Sequence, residues 1–248
     1  MIEIINLWKA FEGQRVLRGV NLEVAGGEIL VIIGRSGGGK SVLLKHLMGL
    51  LKSDEGRIVI DGVEISQLRG RALDQLRERF GVVFQGGALF DSLTVFENVA
   101  FPLQEKTRLP EEAIRDKTLG LLKQVGLADM GHKYPAEVSG GMKKRVALAR
   151  ALTMEPEIIL FDEPTTGLDP IMVNAIHRLI LDLHQRVGFT AILVSHEIPE
   201  IFGIANRVAM LHEGVVVEAG TPEAIQCSAN PVVRQFINGD PEGPIQPD

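Results

Sequence analysis

The octapeptide Gly34-Arg35-Ser36-Gly37-Gly38-Gly39-Lys40-Ser41 constrains this chain more than any other segment. It follows an unbroken apolar run, Ile29-Leu30-Val31-Ile32-Ile33, and precedes a stretch in which Val42, Leu43, Leu47 and Leu50 recur at helical spacing. A continuous apolar run closed by glycine predicts a strand buried on both faces, as in a parallel sheet. Between such a strand and a helix, the glycines let the backbone curl until successive N–H groups point inward, and the helix adds its positive N-terminal end. The pattern G-x-x-x-x-G-K-[ST] is met at every fixed position, so the anion it suits is a nucleoside triphosphate. Lys40 brings a positive charge to the β- and γ-phosphates, and Ser41 brings a hydroxyl to Mg²⁺. Alone, the loop says only that a nucleotide binds, because kinases, GTPases and motor ATPases share it.

The surrounding pattern places the loop in an α/β fold. The chain has 248 residues, 45% of them hydrophobic, enough for one large domain or two small ones. The early residues read as strands, with turns at Glu12-Gly13-Gln14 and Gly26-Gly27, and Gly56–Ile65 reads as a hairpin about Asp61-Gly62. Gly81-Val82-Val83-Phe84-Gln85, Ile158–Phe161, Ala191–Val194, Arg207–Leu211 and Val215–Val217 read as further strands. Between about 86 and 155 the character changes. Pro110 opens a helix with Ile114, Thr118, Leu121, Leu122 and Val125 on one face, Gly126 ends it, and a second helix spans Gly140–Leu152. Asp169-Pro170 starts another, with the aspartate as N-cap. Strands alternating with helices imply a mostly parallel sheet, here with a helical insertion. Residues 239–248, rich in proline and glycine, read as an irregular tail after a 1–238 domain.

Several side chains narrow the chemistry. Ile158–Phe161 runs into Asp162-Glu163, so two acids close a buried strand. At such a carboxyl end Asp162 suits Mg²⁺, through water, and Glu163 suits the attacking water as general base or orienting group. Alone, the pair reads equally as acids starting a surface turn. Ser139-Gly140-Gly141 at a helix N-terminus forms a second anion site, or an ordinary N-capped helix. Two γ-phosphate sites for one nucleotide are explained economically by a head-to-tail dimer. His196 follows a strand and suits the γ-phosphate, although a lone histidine is more often a structural hydrogen-bonder. Gln85 ends a strand where its amide oxygen would reach Mg²⁺ or water, or it is simply solvated. Phe11 suits stacking on adenine, or the core.

The ordered set Gly34–Ser41, Gln85, Val138-Ser139-Gly140-Gly141-Met142, Ile158–Glu163, Thr166-Gly167-Leu168-Asp169 and His196 resembles the ABC ATPase family over nearly the whole chain. The resemblance implies a P-loop NTPase, RecA-like core with an antiparallel β subdomain and a helical subdomain, and two protomers sandwiching two ATP molecules. It implies that Lys40 and Ser41 hold phosphate and Mg²⁺, and that Gln85 links the nucleotide to the helical subdomain. Ser139, Gly140 and Gly141 would close on the partner's γ-phosphate. Asp162 would serve the metal, Glu163 the water and His196 the γ-phosphate, with Asp169 at the dimer seam and Phe11 as the adenine-stacking aromatic. One departure stands out: the signature usually ends in glutamine, and here Met142 cannot make that residue's hydrogen bonds.

Phe84–Phe90, Thr94–Leu103 and Val233–Gly239 with Gly243-Pro244 are similar to the Mla-type lipid-transport ATPases, and Met142 fits that group. That likeness implies ATP-driven phospholipid transport between inner and outer membranes. The implied partners are a membrane permease, docking on the segment after Gln85, an MCE-domain lipid-binding protein and a STAS-domain protein. The chain itself would sit at the cytoplasmic face of the inner membrane. Another cargo, such as solvents or amino acids, and a soluble non-transport ATPase are the competing readings. The net charge of −6 argues against nucleic acid, whose phosphates select basic surfaces. No apolar run approaches the ~20 residues of a membrane span, no signal peptide is expected, and a single cysteine fits a reducing compartment.

Overall fold

The computed structural model describes residues 1–246. In chain order its elements are β1 (Ile2–Phe11), β2 (Gln14–Val24), β3 (Ile29–Ile33), α1 (Lys40–Leu47), β4 (Glu55–Ile60), β5 (Val63–Glu64), α2 (Gly70–Glu78), β6 (Phe80–Val83), α3 (Val95–Lys106), α4 (Glu111–Gln124), α5 (Gly140–Leu152), β7 (Ile158–Asp162), α6 (Pro170–Val187), β8 (Thr190–Ser195), β9 (Arg207–His212), β10 (Val215–Gly220), α7 (Pro222–Gln226) and α8 (Pro231–Asn238). They fall into two compact units. The first comprises Met1–Arg77 and the chain from Thr190 onward, and the second is Glu78–Phe189.

The first unit holds an antiparallel sheet of order β2-β1-β4-β5. Its register sets Ile2 opposite Val24 and Ile60, and Ile4 opposite Leu22 and Ile58. All six of these side chains are buried, so the period-2 alternation of the sequence becomes one apolar face. The same unit places β3 between β8 and β9, parallel to both, and β10 returns antiparallel along β9. Every residue of β3 is buried, which is why its sequence is continuously apolar rather than alternating. Two-residue turns at Glu12-Gly13, Asp61-Gly62 and Glu213-Gly214, with positive φ at both positions, close three of the hairpins.

In the second unit β6 pairs parallel with β7, Phe80 opposite Ile158 and Val83 opposite Phe161. Ala100, Leu103 and Ile114 form a buried cluster that Phe96 and Met154 flank. α6 begins as its sequence predicts: the Asp169 carboxylate accepts from the backbone N–H groups of Ile171 and Met172, at 3.0 and 3.1 Å.

The structure corrects some boundaries. The helix after the glycine-rich loop stops at Leu47, and Leu50 lies beyond it, exposed. Gly49 has φ +64, a conformation that ends the helix before the fourth apolar position is reached. Gln85 sits two residues past the end of β6 rather than at its last position. Four helices, α2, α3, α7 and α8, have no counterpart in the sequence reading. For α3 the signal was present. Thr94 and Glu97 form a reciprocal capping box, with Glu97 N–H donating to Thr94 Oγ1 at 3.2 Å and Thr94 N–H donating to the Glu97 carboxylate at 2.7 Å. Residues 239–246 carry no helix or strand, and the last two positions of the tail expected at 239–248 lie outside the described residues.

The capping box holds the Glu97 carboxyl below the usual carboxylate range, because both the Thr94 N–H and the Thr94 hydroxyl favour its charged form. A depressed folded-state value means stability that is present above the unfolded value and lost as pH falls through the folded one. Thr94→Ala should cost about 1 kcal/mol in urea denaturation at neutral pH. The gap between wild type and variant should narrow under acid, as Glu97 protonates in both. An unchanged gap down to pH 2 would contradict the reciprocal box.

Candidate active site

Parallel register brings the first group of candidate residues to one edge. Ile33 at the end of β3 lies opposite Ser195 of β8 and Met210 of β9. The glycine-rich loop, His196 and the Glu213-Gly214 turn therefore leave the sheet at the same edge. Carboxyl ends of parallel strands are where α/β folds place ligands. Gly34 has φ +150, and a Cβ there would lie 2.1 Å from the backbone oxygen of Leu211. Only glycine lets the loop cross β9 this closely. Lys40, buried at the start of α1, donates from Nζ to the carbonyls of Gly34 at 2.7 Å and Arg35 at 2.8 Å. The loop is thus curled around its own ammonium group. A cavity of about 570 Å³ opens beside it, lined among others by Val16, Arg35, Ser36, Gly37 and Gly38. Gly39 and Ser41 flank Lys40 at the loop's junction with α1. His196 is exposed immediately after β8. Phe11 closes β1 with 40% of its surface exposed and the Lys9 ammonium 5.4 Å from its ring centroid, so it is a surface aromatic rather than a core one.

The second unit gathers the other group. Because Val83 lies opposite Phe161, the segments Phe84-Gln85 and Asp162-Glu163 also leave their strands together. Gln85 donates from Nε2 to Glu163 Oε2 at 3.2 Å, and Thr166 Oγ1 donates to the same oxygen at 3.1 Å. Glu163 has φ +50, in the left-handed region that few residues with a side chain adopt. Asp162, half-buried, is the last residue of β7. Ser139 caps α5, its Oγ accepting from the Met142 N–H at 3.3 Å. Gly140 is exposed and Gly141 buried, and a Cβ on Gly141 would displace the Met172 methyl, 2.4 Å away. Asp169 caps α6 and is exposed.

Two residues that the sequence reading passed over also belong here. Lys144, buried in α5, donates from its ammonium to the carbonyl of Gln85. Arg150 in the same helix donates to the carbonyls of Gly87 and Ala88, both at 2.7 Å, and burial pulls its guanidinium value down. Together they fasten residues 85–88 to the helix behind Ser139. A basic run such as Lys143-Lys144-Arg145 reads as a solvated face. The signal against that was spacing: Lys144 stands three or four residues from the buried Gly141, Leu148 and Ala147.

These features match a known family. Residues 17–166 fit the ABC transporter family model, and the chain belongs to that family. It is 43% identical over 244 residues to the probable ribonucleotide transport ATP-binding protein mkl of Mycobacterium leprae (strain TN), covering 98% of this chain and 70% of that protein. It is 41% identical over 246 residues to the intermembrane phospholipid transport system ATP-binding protein MlaF of Haemophilus influenzae, covering 99% of this chain and 93% of that protein. The dimeric ATP-binding cassette MJ0796, solved in a post-hydrolysis state bound to ADP and Pi, superposes with a TM-score of 0.81 at 34% identity, covering 90% of this chain and 99% of that one. The fold is that of an ABC ATPase cassette, and the chain is the ATP-binding, ATP-hydrolysing subunit of an ABC transporter. Among the described residues no helix is long and apolar enough to cross a membrane.

The crossing at Gly34 gives a direct test of the loop's geometry. Gly34→Ala should lower unfolding free energy by about 2–3 kcal/mol, because its Cβ meets backbone that cannot step aside. Gly26→Ala, where nothing lies within 4 Å, should change it by no more than about 0.5 kcal/mol. Chemical denaturation of the two variants checks both. Equal melting would remove the crossing as a constraint.

Proposed function

We propose that this chain binds and hydrolyses ATP as one of two identical subunits that drive phospholipid transport between the inner and outer membranes. It works through a separate permease at the cytoplasmic face of the inner membrane. The observation that carries the cargo assignment is the end-to-end match to the phospholipid-transport ATP-binding protein of Haemophilus influenzae. The mkl likeness favours a second reading, a ribonucleotide cargo. That match covers a smaller share of the relative, 70% against 93%.

In this reading the inward N–H groups of Gly34, Arg35, Ser36, Gly37, Gly38 and Gly39 receive the phosphates, and Lys40 shifts its ammonium from the loop carbonyls toward them. Phe11 offers an exposed ring to the adenine. The donor set of Ser41 hydroxyl, Gln85 amide oxygen and Asp162 carboxylate suits Mg²⁺. This hard cation prefers a few protein oxygens alongside phosphate and water. When bound it neutralises charge on the phosphates. Glu163 takes the proton of the attacking water, and His196 donates to the γ-phosphate. The hydrogen bonds from Gln85 and Thr166 fall on one oxygen of Glu163 and set the direction in which its carboxylate faces. Ser139, Gly140 and Gly141 present an α-helix N-terminus to the triphosphate held by the second copy, with Asp169 at the seam between copies.

The permease docks on the segment that follows Gln85. Phe90 within it and Phe84 just before Gln85 are exposed, at 44% and 41%, while buried Asn98 pins the turn through bonds to Phe90, Leu93 and Thr94. Exposed aromatics on a fixed turn suit a protein contact. An MCE-domain lipid-binding protein and a STAS-domain protein complete the assembly.

Glu163→Gln should bind ATP about as tightly as the wild type while lowering kcat by at least two orders of magnitude, roughly the value of a positioned general base. Steady-state hydrolysis and nucleotide titration together check this, and a kcat within twofold of wild type would remove Glu163 from the role. The cargo assignment is tested by lipid mass spectrometry of the complex purified with its permease. Phospholipid above the detergent-blank level is expected, and a complex without it that instead binds ribonucleotide on the permease side would favour the second reading.

A further inference from the structure

The C-terminal segment does not trail away from the first unit. α8 begins at Asn230, whose side chain caps it, and is anchored by buried Val233. Two residues further on it carries Gln235, a polar side chain with only 7% of its surface exposed. A buried amide must find partners. Gln235 finds them in the returning chain. Its Oε1 accepts from the Ile245 N–H at 2.7 Å, and its Nε2 donates to the carbonyls of Ile245 at 2.9 Å and Asp240 at 3.1 Å. Ile245 is itself buried, and Gly243 passes so near the amide that a Cβ there would lie 2.5 Å from Gln235 Cδ. The Gln246 side chain ties back to the Gly243 carbonyl at 3.0 Å.

This fold of chain ends against the phosphate loop. Arg35 Nη1 donates to the carbonyl of Gln246 at 2.6 Å, a charge-assisted bond. Pro244, Ile245 and Gln246 form one wall of the same cavity that Ser36, Gly37 and Gly38 line. Arg35 is also where the loop's own curl is fastened. Its carbonyl accepts from Lys40 Nζ at 2.8 Å and from the Gly38 N–H at 3.1 Å. Tail and loop therefore meet on one residue, with the side chain held from outside and the backbone held from within.

We propose that residues 243–246 brace the phosphate loop, and that Gln235 is a positioning residue for nucleotide binding that acts through them on Arg35. This rests on the reading that Gly34–Ser41 holds the phosphates. A braced loop is already ordered when nucleotide arrives, whereas an unbraced one must be ordered by the nucleotide at the cost of affinity. The brace touches the loop and not the group that takes the water's proton. Its loss should therefore weaken ATP and ADP alike and leave kcat at saturation unchanged, the pattern of uniform binding.

The test is titration of the full chain with a fluorescent ATP or ADP analogue, with steady-state hydrolysis alongside. Gln235→Met keeps the volume and removes all three bonds. Gln235→Glu keeps the acceptor for Ile245 N–H but turns an oxygen toward two carbonyls. A chain stopped after Glu242 lacks residues 243–246 but keeps the Asp240 N–H bond to the Gln235 carbonyl at the end of α8, and guards against misfolding of the point variants. Each should raise Kd and KM for both nucleotides by roughly 3- to 10-fold, the scale of one or two net hydrogen bonds, with kcat within twofold. In an Arg35→Ala background Gln235→Met should add nothing further, whereas a merely structural role would give additive losses. Lys40→Ala separates the two layers of the argument. If it leaves affinity intact, the phosphate-loop reading falls and the brace with it. If it abolishes binding while Gln235→Met and the shortened chain bind normally, the brace alone is overturned. Additive losses in the Arg35→Ala cycle would overturn the route through Arg35.

Discussion

The crossing of the glycine-rich loop over β9 is the constraint on which the first unit depends. β3 is fully buried between two parallel neighbours, so its exit point is fixed by main-chain hydrogen bonds to both and by the packing of its own side chains. The chain leaving that point passes the Leu211 carbonyl at a distance that excludes a Cβ. Everything after it follows from that approach. The loop curls, Lys40 is drawn back onto the carbonyls of Gly34 and Arg35, and α1 starts at that lysine. A bulkier residue at 34 would move the loop away from the strand ends, and with it the positive end of α1.

The second unit solves a different problem, that of holding a carboxylate in a useful direction. Glu163 adopts a left-handed backbone conformation one residue after its strand ends, and two neutral donors fix one of its oxygens. One of those donors, Gln85, stands on a segment whose carbonyls are gripped by the cations of Lys144 and Arg150. Leaving water costs both cations part of their hydration, buried Lys144 more than half-buried Arg150. What they retain is geometry: the helix that begins at Ser139 and the segment that carries Gln85 are fastened together at three carbonyls. These bonds form a contiguous route from that helix to Gln85 and, through its amide, to Glu163.

Much of this was legible in the sequence where one local rule decides the outcome. The buried strand Ile29–Ile33, the helix Gly140–Leu152 and the Asp169 cap each follow from a pattern a few residues long, and the structure reproduces them. The motif residues were found by the same means. What the sequence did not disclose depends on contacts distant in the chain. Lys144 and Arg150 lie about sixty residues from the carbonyls they hold, and Arg35 lies 211 residues from Gln246. The spacing of Lys144 along its helix marks it for the inner face, but not which carbonyl it reaches. α3 is the instructive exception. Its Thr94–Glu97 capping box is local and readable, but Pro102 inside the helix masks an otherwise continuous helical pattern. The stop of α1 at Leu47 was likewise hidden, since an apolar residue at helical spacing, Leu50, outweighed the glycine before it.

Met142 shows how a departure from a family pattern can be absorbed. The bonds that shape the start of α5 are made by the Ser139 hydroxyl and by backbone, and the Met142 contribution is its N–H, not its side chain. Gly141 allows close packing against Met172 whatever stands at 142. The features that would suit this helix start to an anion, in the proposed reading, are the serine that caps it and the absence of side chains at two successive positions. A thioether in place of an amide forfeits polar contacts made by that one side chain and leaves those features intact. The signature is therefore written mainly in backbone geometry. A methionine is a compatible choice at 142 for the same reason that alanine is an incompatible one at 34: the first position is asked for a backbone donor, and the second for the absence of a side chain.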